Sequence, residues 1–199
     1  MLNARKYSFV FLVWLPFACQ FTVTFAACLI EPNARGHVTI PLTWETIPAF
    51  AFVNCKRLVT LSMTDNVTLV GEGAFYGCTE MISAEIGANV ETIKERAFYG
   101  CSSLYNTTIP DTVTEMGKYV FYYCSNLRFA SVGNGLDTIE NHVFQGCKKL
   151  ERISIPQNIK KIGIEAFHGC RGLTSVEMIH GITAIGDKAF SNCDGLQSL

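Results

Sequence analysis

The sequence predicts an α/β-type repeat solenoid with a 23-residue period. Two observations carry that prediction. A cysteine recurs at Cys55, Cys78, Cys101, Cys124, Cys147, Cys170 and Cys193, always 23 residues apart and without an insertion or deletion. Around each cysteine the apolar residues fall at the same offsets, so the period belongs to the core as well as to the cysteine. A single 23-residue unit cannot bury its apolar side alone; stacked units share one continuous core, and a strict period follows from that stacking.

The strand comes first in each unit. Six residues after the cysteines stand Leu61, Ala84, Thr107, Ala130, Ile153, Val176 and Leu199. Eight after stand Met63, Ile86, Ile109, Val132, Ile155 and Met178. Two residues apart is the spacing that puts side chains on one face of a strand. Pro110 and Pro156 follow directly and end the pairing segment, because proline lacks the N–H a ladder needs. A second apolar pair follows, as in Val90/Ile93, Val113/Met116 and Ile159/Ile162. Next comes alanine–phenylalanine, as in Ala74-Phe75 and Ala97-Phe98, with valine replacing alanine in Val120-Phe121 and Val143-Phe144. From Ile93 through Ala97, Phe98, Cys101 and Leu104 the spacing predicts a short helix or 3₁₀ segment. Gly77, Gly100, Gly146, Gly169, Asn54 and Asn192 precede their cysteines, which predicts a left-handed residue there. Tyr123 departs from that rule and is expected to be strained or locally rearranged. Val38, Ile40, Pro41, Trp44 and Ile47 extend the lattice upstream as a half repeat, but the position one period before Cys55 is Pro32. The array is therefore expected over residues 37–199, as a half repeat plus about seven coils, truncated at its C-terminal end and without a dedicated N-terminal cap. Residues 28–36 are expected as a short linker.

The first 27 residues read as an export signal or membrane anchor. Arg5 and Lys6 precede an uncharged run of 24 residues from Tyr7 to Ile30, ending near the small residues Ala26 and Ala27. The run exceeds a signal-peptide core and is long enough to span a bilayer, although Pro16, Gln20, Thr22 and Thr24 weaken a spanning segment. Phe25-Ala26-Ala27-Cys28 also loosely resembles a bacterial lipoprotein signal. Each alternative places the repeats outside the cytosol, secreted or at the cell surface, with membrane contact only through this segment.

Ala97-Phe98-Tyr99-Gly100-Cys101-Ser102-Ser103-Leu104 resembles, along its whole length, the signature of BspA-like leucine-rich repeats. The resemblance covers residues from about 37 to 199. It implies a curved right-handed solenoid with a parallel sheet on one side and short helical or 3₁₀ segments and turns on the other. It also implies a surface or secreted protein of bacteria or some protists, associated with adhesion and with binding host or matrix proteins.

Composition supports an ordered chain: apolar residues make up 49% and charged residues 17%. A net charge of −1 gives no electrostatic case for nucleic acid. Lys148, Lys149, Arg152, Lys160 and Lys161 form a mild basic cluster that reads as a solvated face, with Glu151 inside it. The seven repeat cysteines sit at one equivalent position per coil and point the same way. They read as a ladder of buried thiols behaving as small apolar residues, while Cys19 and Cys28 lie in or beside the export segment. Zinc needs ligands converging on a point, and this spacing strings them along a line. His37, His142, His168 and His180 occupy unrelated lattice positions, and Gly71-Glu72-Gly73 and Gly133-Asn134-Gly135 read as turns rather than phosphate loops. No cofactor, metal or catalytic site is expected.

Function is therefore expected on the surface. Strand positions that alternate with the buried ones face outward and are mostly small and polar. Ile82, Tyr105, Arg128, Phe129 and Arg152 are larger, and consecutive coils make them neighbours. Aromatic and arginine side chains dominate binding hot spots. The expectation is a non-enzymatic protein that binds a host, matrix or cell-surface protein through this patch; the alternative is a spacer or stalk of a larger surface protein. Asn66-Val67-Thr68 and Asn106-Thr107-Thr108 are glycosylation acceptor patterns, and a glycan on Asn106 would crowd the patch.

Overall fold

The structure is a computed structural model and describes residues 28–178 and 181–197. The expected export segment, His180 and Leu199 lie outside the described residues, as do the side chains of Glu177 and Met178. Fourteen short strands follow one another along the chain: β1 (His37–Thr39), β2 (Thr46–Ile47), β3 (Thr60–Ser62), β4 (Leu69–Val70), β5 (Ser83–Glu85), β6 (Thr92–Ile93) and β7 (Asn106–Thr108), then β8 (Glu115–Met116), β9 (Phe129–Ser131), β10 (Thr138–Ile139), β11 (Arg152–Ile155), β12 (Lys161–Ile162), β13 (Ser175–Met178) and β14 (Ala184–Ile185). Every pairing is parallel, and each residue faces its equivalent one period away, as in Asn106 beside Phe129 and Phe129 beside Arg152. Odd strands form one side of the solenoid and even strands another. The longer, odd side is the expected sheet, with Leu61, Ala130 and Ile153 buried beneath it and Ser83, Asn106 and Phe129 exposed.

Both ladders lapse once, the odd side between β5 and β7 and the even side between β8 and β10. At the first lapse the inward positions hold Ala84 and Thr107, flanked by Leu61 in the coil before and Ala130 in the coil after.

The third side corrects one expectation. The described residues contain no helix; the segment around each cysteine is a run of turns. Two backbone facts explain this. Each coil has a left-handed residue five positions before its cysteine (Phe50, Gly73, Arg96, Tyr119, His142, Glu165, Lys188) and another one position before it, and such residues interrupt a right-handed helix. In addition, only alternate N–H groups bond locally: the Ala97, Tyr99 and Cys101 N–H groups donate to Lys94, Arg96 and Phe98. Those of Arg96, Phe98 and Gly100 donate instead to Lys118, Val120 and Tyr122 in the next coil. A helix would keep every N–H within its own chain segment. The left-handed residue expected before each cysteine is present, including Tyr123 at φ 55°, whose N–H donates to Gln145 as its equivalents do. Tyr123 is thus strained in φ but not rearranged; its ring lies where a side chain on Gly146 would otherwise sit.

The core is a set of columns. Phe52, Phe75, Phe98, Phe121, Phe144, Phe167 and Phe190 stack in sequence with ring centroids 5.1 to 5.5 Å apart and nearly parallel planes. The cysteines run beside them and do more than fill space. The thiols of Cys78, Cys101, Cys124, Cys147 and Cys170 are buried, and each donates to the phenylalanine carbonyl of the preceding coil, as Cys101 does to Phe75 at 3.2 Å. Cys193 makes the same bond to Phe167 while half-buried.

Cys55 departs from the expected thiol ladder: it forms a disulfide with Cys28, across a sequence separation of 27. Residues 28–36 accordingly lie against the first coil. Cys28 and Pro32 are buried, and the Leu29 N–H donates to the Ala51 carbonyl. Pro32 fills the place one period before Cys55. At the other end Phe190 and Leu196 are only partly buried and Ile185 is exposed.

Candidate binding face

The strand side brings together the five residues singled out in the sequence. Ile82 and Tyr105 are about half exposed (49% and 48%) and Phe129 is 38% exposed. Tyr105 and Phe129 meet edge to face with centroids 6.2 Å apart, an arrangement aromatic pairs favour. The Arg128 guanidinium lies 5.8 Å from the Tyr105 ring centre and that of Arg152 lies 5.9 Å from the Phe129 ring centre, both within cation–π range. Arg128 also donates to Glu151 at 2.7 Å. The strip is thus a preformed run of apolar and guanidinium surface.

Beside the strip the sheet surface is concave. A trough of about 620 Å³ lies over β5, β7 and β9, at the lapse in pairing, lined by Glu85, Asn106, Thr108, Phe129 and Ser131 among others. A second trough of about 690 Å³ continues toward β11 over Thr108, Ser131 and Ser154. Their floor is small and hydroxyl-rich, which follows from the small polar residues at the outward strand positions.

The two acceptor asparagines differ. Asn106 is exposed on β7 and lines the first trough. Asn66 spends its side-chain amide on the Leu42 carbonyl one coil back, and Asn89 and Asn158 do the same to Asp65 and Asn134. Asn66 thus stands in a column of bridging residues. The expected basic cluster is exposed at all five positions, as a solvated face should be.

A second aromatic cluster, on the turn side, was not singled out from the sequence. Tyr76, Tyr99 and Tyr122 stack at 4.5 and 4.8 Å. Tyr119 stacks on His142 at 4.6 Å, with Arg96 5.2 Å from the Tyr119 ring centre. Burial, with neighbouring tyrosines adding to it, raises the Tyr99 hydroxyl and pushes that of Tyr122 up to about 12. The signal was present: tyrosine occupies the position two before three successive cysteines. Stacked rings there turn their faces to each other and only their edges to solvent, so we assign the cluster to cohesion between coils.

The cysteine column offers no reactive thiol by environment. Burial pushes Cys78 up to about 12 and raises Cys101, Cys124, Cys147 and Cys170 as well. Thiolate chemistry needs the opposite shift. Among the described residues no group of histidine, cysteine and carboxylate side chains could hold a metal ion, and no helix is long and apolar enough to cross a membrane.

Comparison with known proteins decides the family. The model of the BspA type leucine rich repeat region matches in six copies over residues 24–151 and 137–199. The chain belongs to that family. Among solved structures, this BspA-type chain is similar to the leucine-rich repeat protein of T. pallidum, with a TM-score of 0.75 and 26% identity over 82% of this chain and 78% of that one. A leucine-rich repeat protein of Eubacterium ventriosum gives a TM-score of 0.60 at 23% identity, over 82% of this chain and 38% of that one. The pneumococcal vaccine antigen PcpA gives 0.54 at 17% identity, over 76% and 41%. No curated protein matches the chain. The last two likenesses show the fold alone, and the chain spans about two fifths of the length of each.

Proposed function

We propose that the chain is an exported, non-enzymatic protein that binds another protein through the strand face. The observation that carries this is the strip from Ile82 to Arg152. Elsewhere on the strand face outward residues are mostly small and polar, whereas here two half-exposed aromatics sit under two guanidinium groups on a rigid sheet. Preformed aromatic and arginine surface of this kind supplies affinity at low entropic cost. Membership of a leucine-rich repeat family, whose proteins generally mediate protein interactions, supports the same reading. The Cys28–Cys55 disulfide supports export, because such bonds form and persist in oxidising compartments. Since Cys28 is consumed by that bond, lipidation of Cys28 and closure of the first coil exclude one another.

The test is the double substitution Tyr105→Ser/Phe129→Ser in the full chain, assayed for binding to immobilised matrix and cell-surface proteins. Binding should fall at least tenfold while the circular dichroism spectrum and a cooperative melt are retained. Unchanged binding overturns the assignment of the face. Absence of binding by the unaltered chain moves the weight to a spacer within a larger surface protein.

A further inference from the structure

We propose that the strand-face groove receives an extended peptide segment of its partner, carrying a basic residue at the Glu85 end and a carboxylate at the Arg152 end. This rests on the binding-face reading above and specifies the ligand that face would take. The charges along the groove are ordered. Arg128 and Glu151, toward the Arg152 end of the face, neutralise one another at 2.7 Å. Neither end shows such a pair among the described side chains. Among the described residues Arg152 has no carboxylate within ion-pair distance and leans on the Phe129 ring instead. Glu85, exposed at the rim of the 620 Å³ trough, accepts only a 3.3 Å hydrogen bond from Ser62 among the described side chains. Between these ends the trough lining is uncharged, with Ser83, Asn106, Thr108, Ser131 and the Phe129 ring, while the Arg128–Glu151 pair beside it has its charges matched.

Distance selects the form of the occupant. Glu85 and Arg152 belong to coils three periods apart, and neighbouring strands lie about 4.8 Å apart, so the charges are separated by roughly 14 Å along the stack. An extended chain advances about 3.3 Å per residue and covers that span in about four residues. Ligand chemistry follows from the rings. A neutral glycan would need free aromatic faces to stack on, and here the faces of Tyr105 and Phe129 carry guanidinium groups. A peptide needs only apolar side chains against Ile82 and the ring edges, backbone groups over the hydroxyl-rich floor, and one charge at each end.

Labelled nine-residue peptides with a Val/Thr centre would be titrated against the full chain by fluorescence polarisation at low salt. They carry Lys and Glu four residues apart in either order, Lys–Lys, Glu–Glu, or Gln–Gln. Exposed charges at a rim contribute modestly, about threefold each. One Lys/Glu order should therefore bind about tenfold tighter than Gln–Gln. Arg152→Glu should shift the preference to Lys–Lys, and Glu85→Arg/Arg152→Glu should reverse the preferred order. Binding indifferent to peptide charge but lost in Tyr105→Ser/Phe129→Ser overturns the charge assignment while leaving the binding face intact. Peptide binding that survives this double substitution overturns both. Silence of every peptide, or binding of neutral glycans in a parallel array, overturns the peptide assignment.

Discussion

The turn side and the strand side of this solenoid carry the same period but use it differently. On the turn side the period fixes residue identity: phenylalanine stacks on phenylalanine through seven coils, and each thiol donates one coil back. On the strand side the period fixes only the backbone and the inward residues, and the outward positions vary from Ser83 through Asn106 and Phe129 to Arg152. A column whose members touch one another inside a core must repeat, because a change in volume at one coil disturbs two neighbours. A column that faces solvent is released from that constraint. Function is free to accumulate on the strand side, and stability is concentrated on the turn side.

The sharpest way to break this comparison is one residue type changed on both sides. Phe98 is fully buried between Phe75 and Phe121, whereas Phe129 is 38% exposed. Phe98→Ala should cost about 3–5 kcal/mol, the range for an aromatic removed from a packed core. Phe129→Ala should cost about 1 kcal/mol, from the lost edge-to-face contact with Tyr105 and the cation–π contact with Arg152. Denaturant titration of both variants measures the difference, and comparable losses would erase the division between the sides.

The second prediction concerns the end of the turn side that is closed covalently. The Cys28–Cys55 bond has a sequence separation of 27, and loop-closure entropy assigns such a crosslink about 3.5 kcal/mol. Cys28→Ser should lower stability by about that amount and expose the first coil to proteolysis near Ala51. Cys101→Ser keeps a hydrogen-bond donor in the column and should cost less. Titration of the oxidised chain after denaturation should find Cys78, Cys101, Cys124, Cys147, Cys170 and Cys193 as free thiols.

Most of this division was legible in the sequence. The buried columns could be read because stacking makes the period strict, and Leu104, Phe98 and Ile93 are buried where the lattice put them. The outward place of Phe129 and Arg152 could be read because strand alternation is a geometric necessity, whereas Ile82, Tyr105 and Arg128 stand just before their strands, where alternation does not decide the face. The turn side was misread as helical for a physical reason. Apolar positions three to four apart satisfy a helix and a left-handed-interrupted turn equally well. The deciding residues, such as Arg96, Tyr119 and Glu165, are of types that do not advertise a positive φ. The disulfide was hidden because Cys28 lies 27 residues from Cys55, off the 23-residue lattice, within the stretch read as export signal and linker. The trough beside Phe129 depends on a lapse in strand pairing, and one sequence does not reveal where parallel ladders part.

A pH dependence, absent at neutral pH, also separates the two sides. A buried thiol resists ionisation because burial disfavours the thiolate, and Cys78 is pushed up to about 12 from an ordinary value near 9. The native chain therefore keeps that proton where the unfolded chain releases it. The stabilisation is fully present below pH 9 and is lost as pH rises from 9 toward 12, at a slope of about 1.4 kcal/mol per pH unit for such a thiol. Melting temperature should hold steady through neutral pH and decline above pH 9. Replacing Cys78 with alanine should lower stability at pH 7 and remove only that thiol's share of the alkaline decline, because Cys101, Cys124, Cys147 and Cys170 are raised as well. Replacing Tyr105 and Phe129 on the strand side should leave the slope as it was. An alkaline decline whose slope is unaltered by Cys78→Ala would show that this thiol does not couple folding to pH and that its role is confined to the hydrogen bond it donates to Phe52.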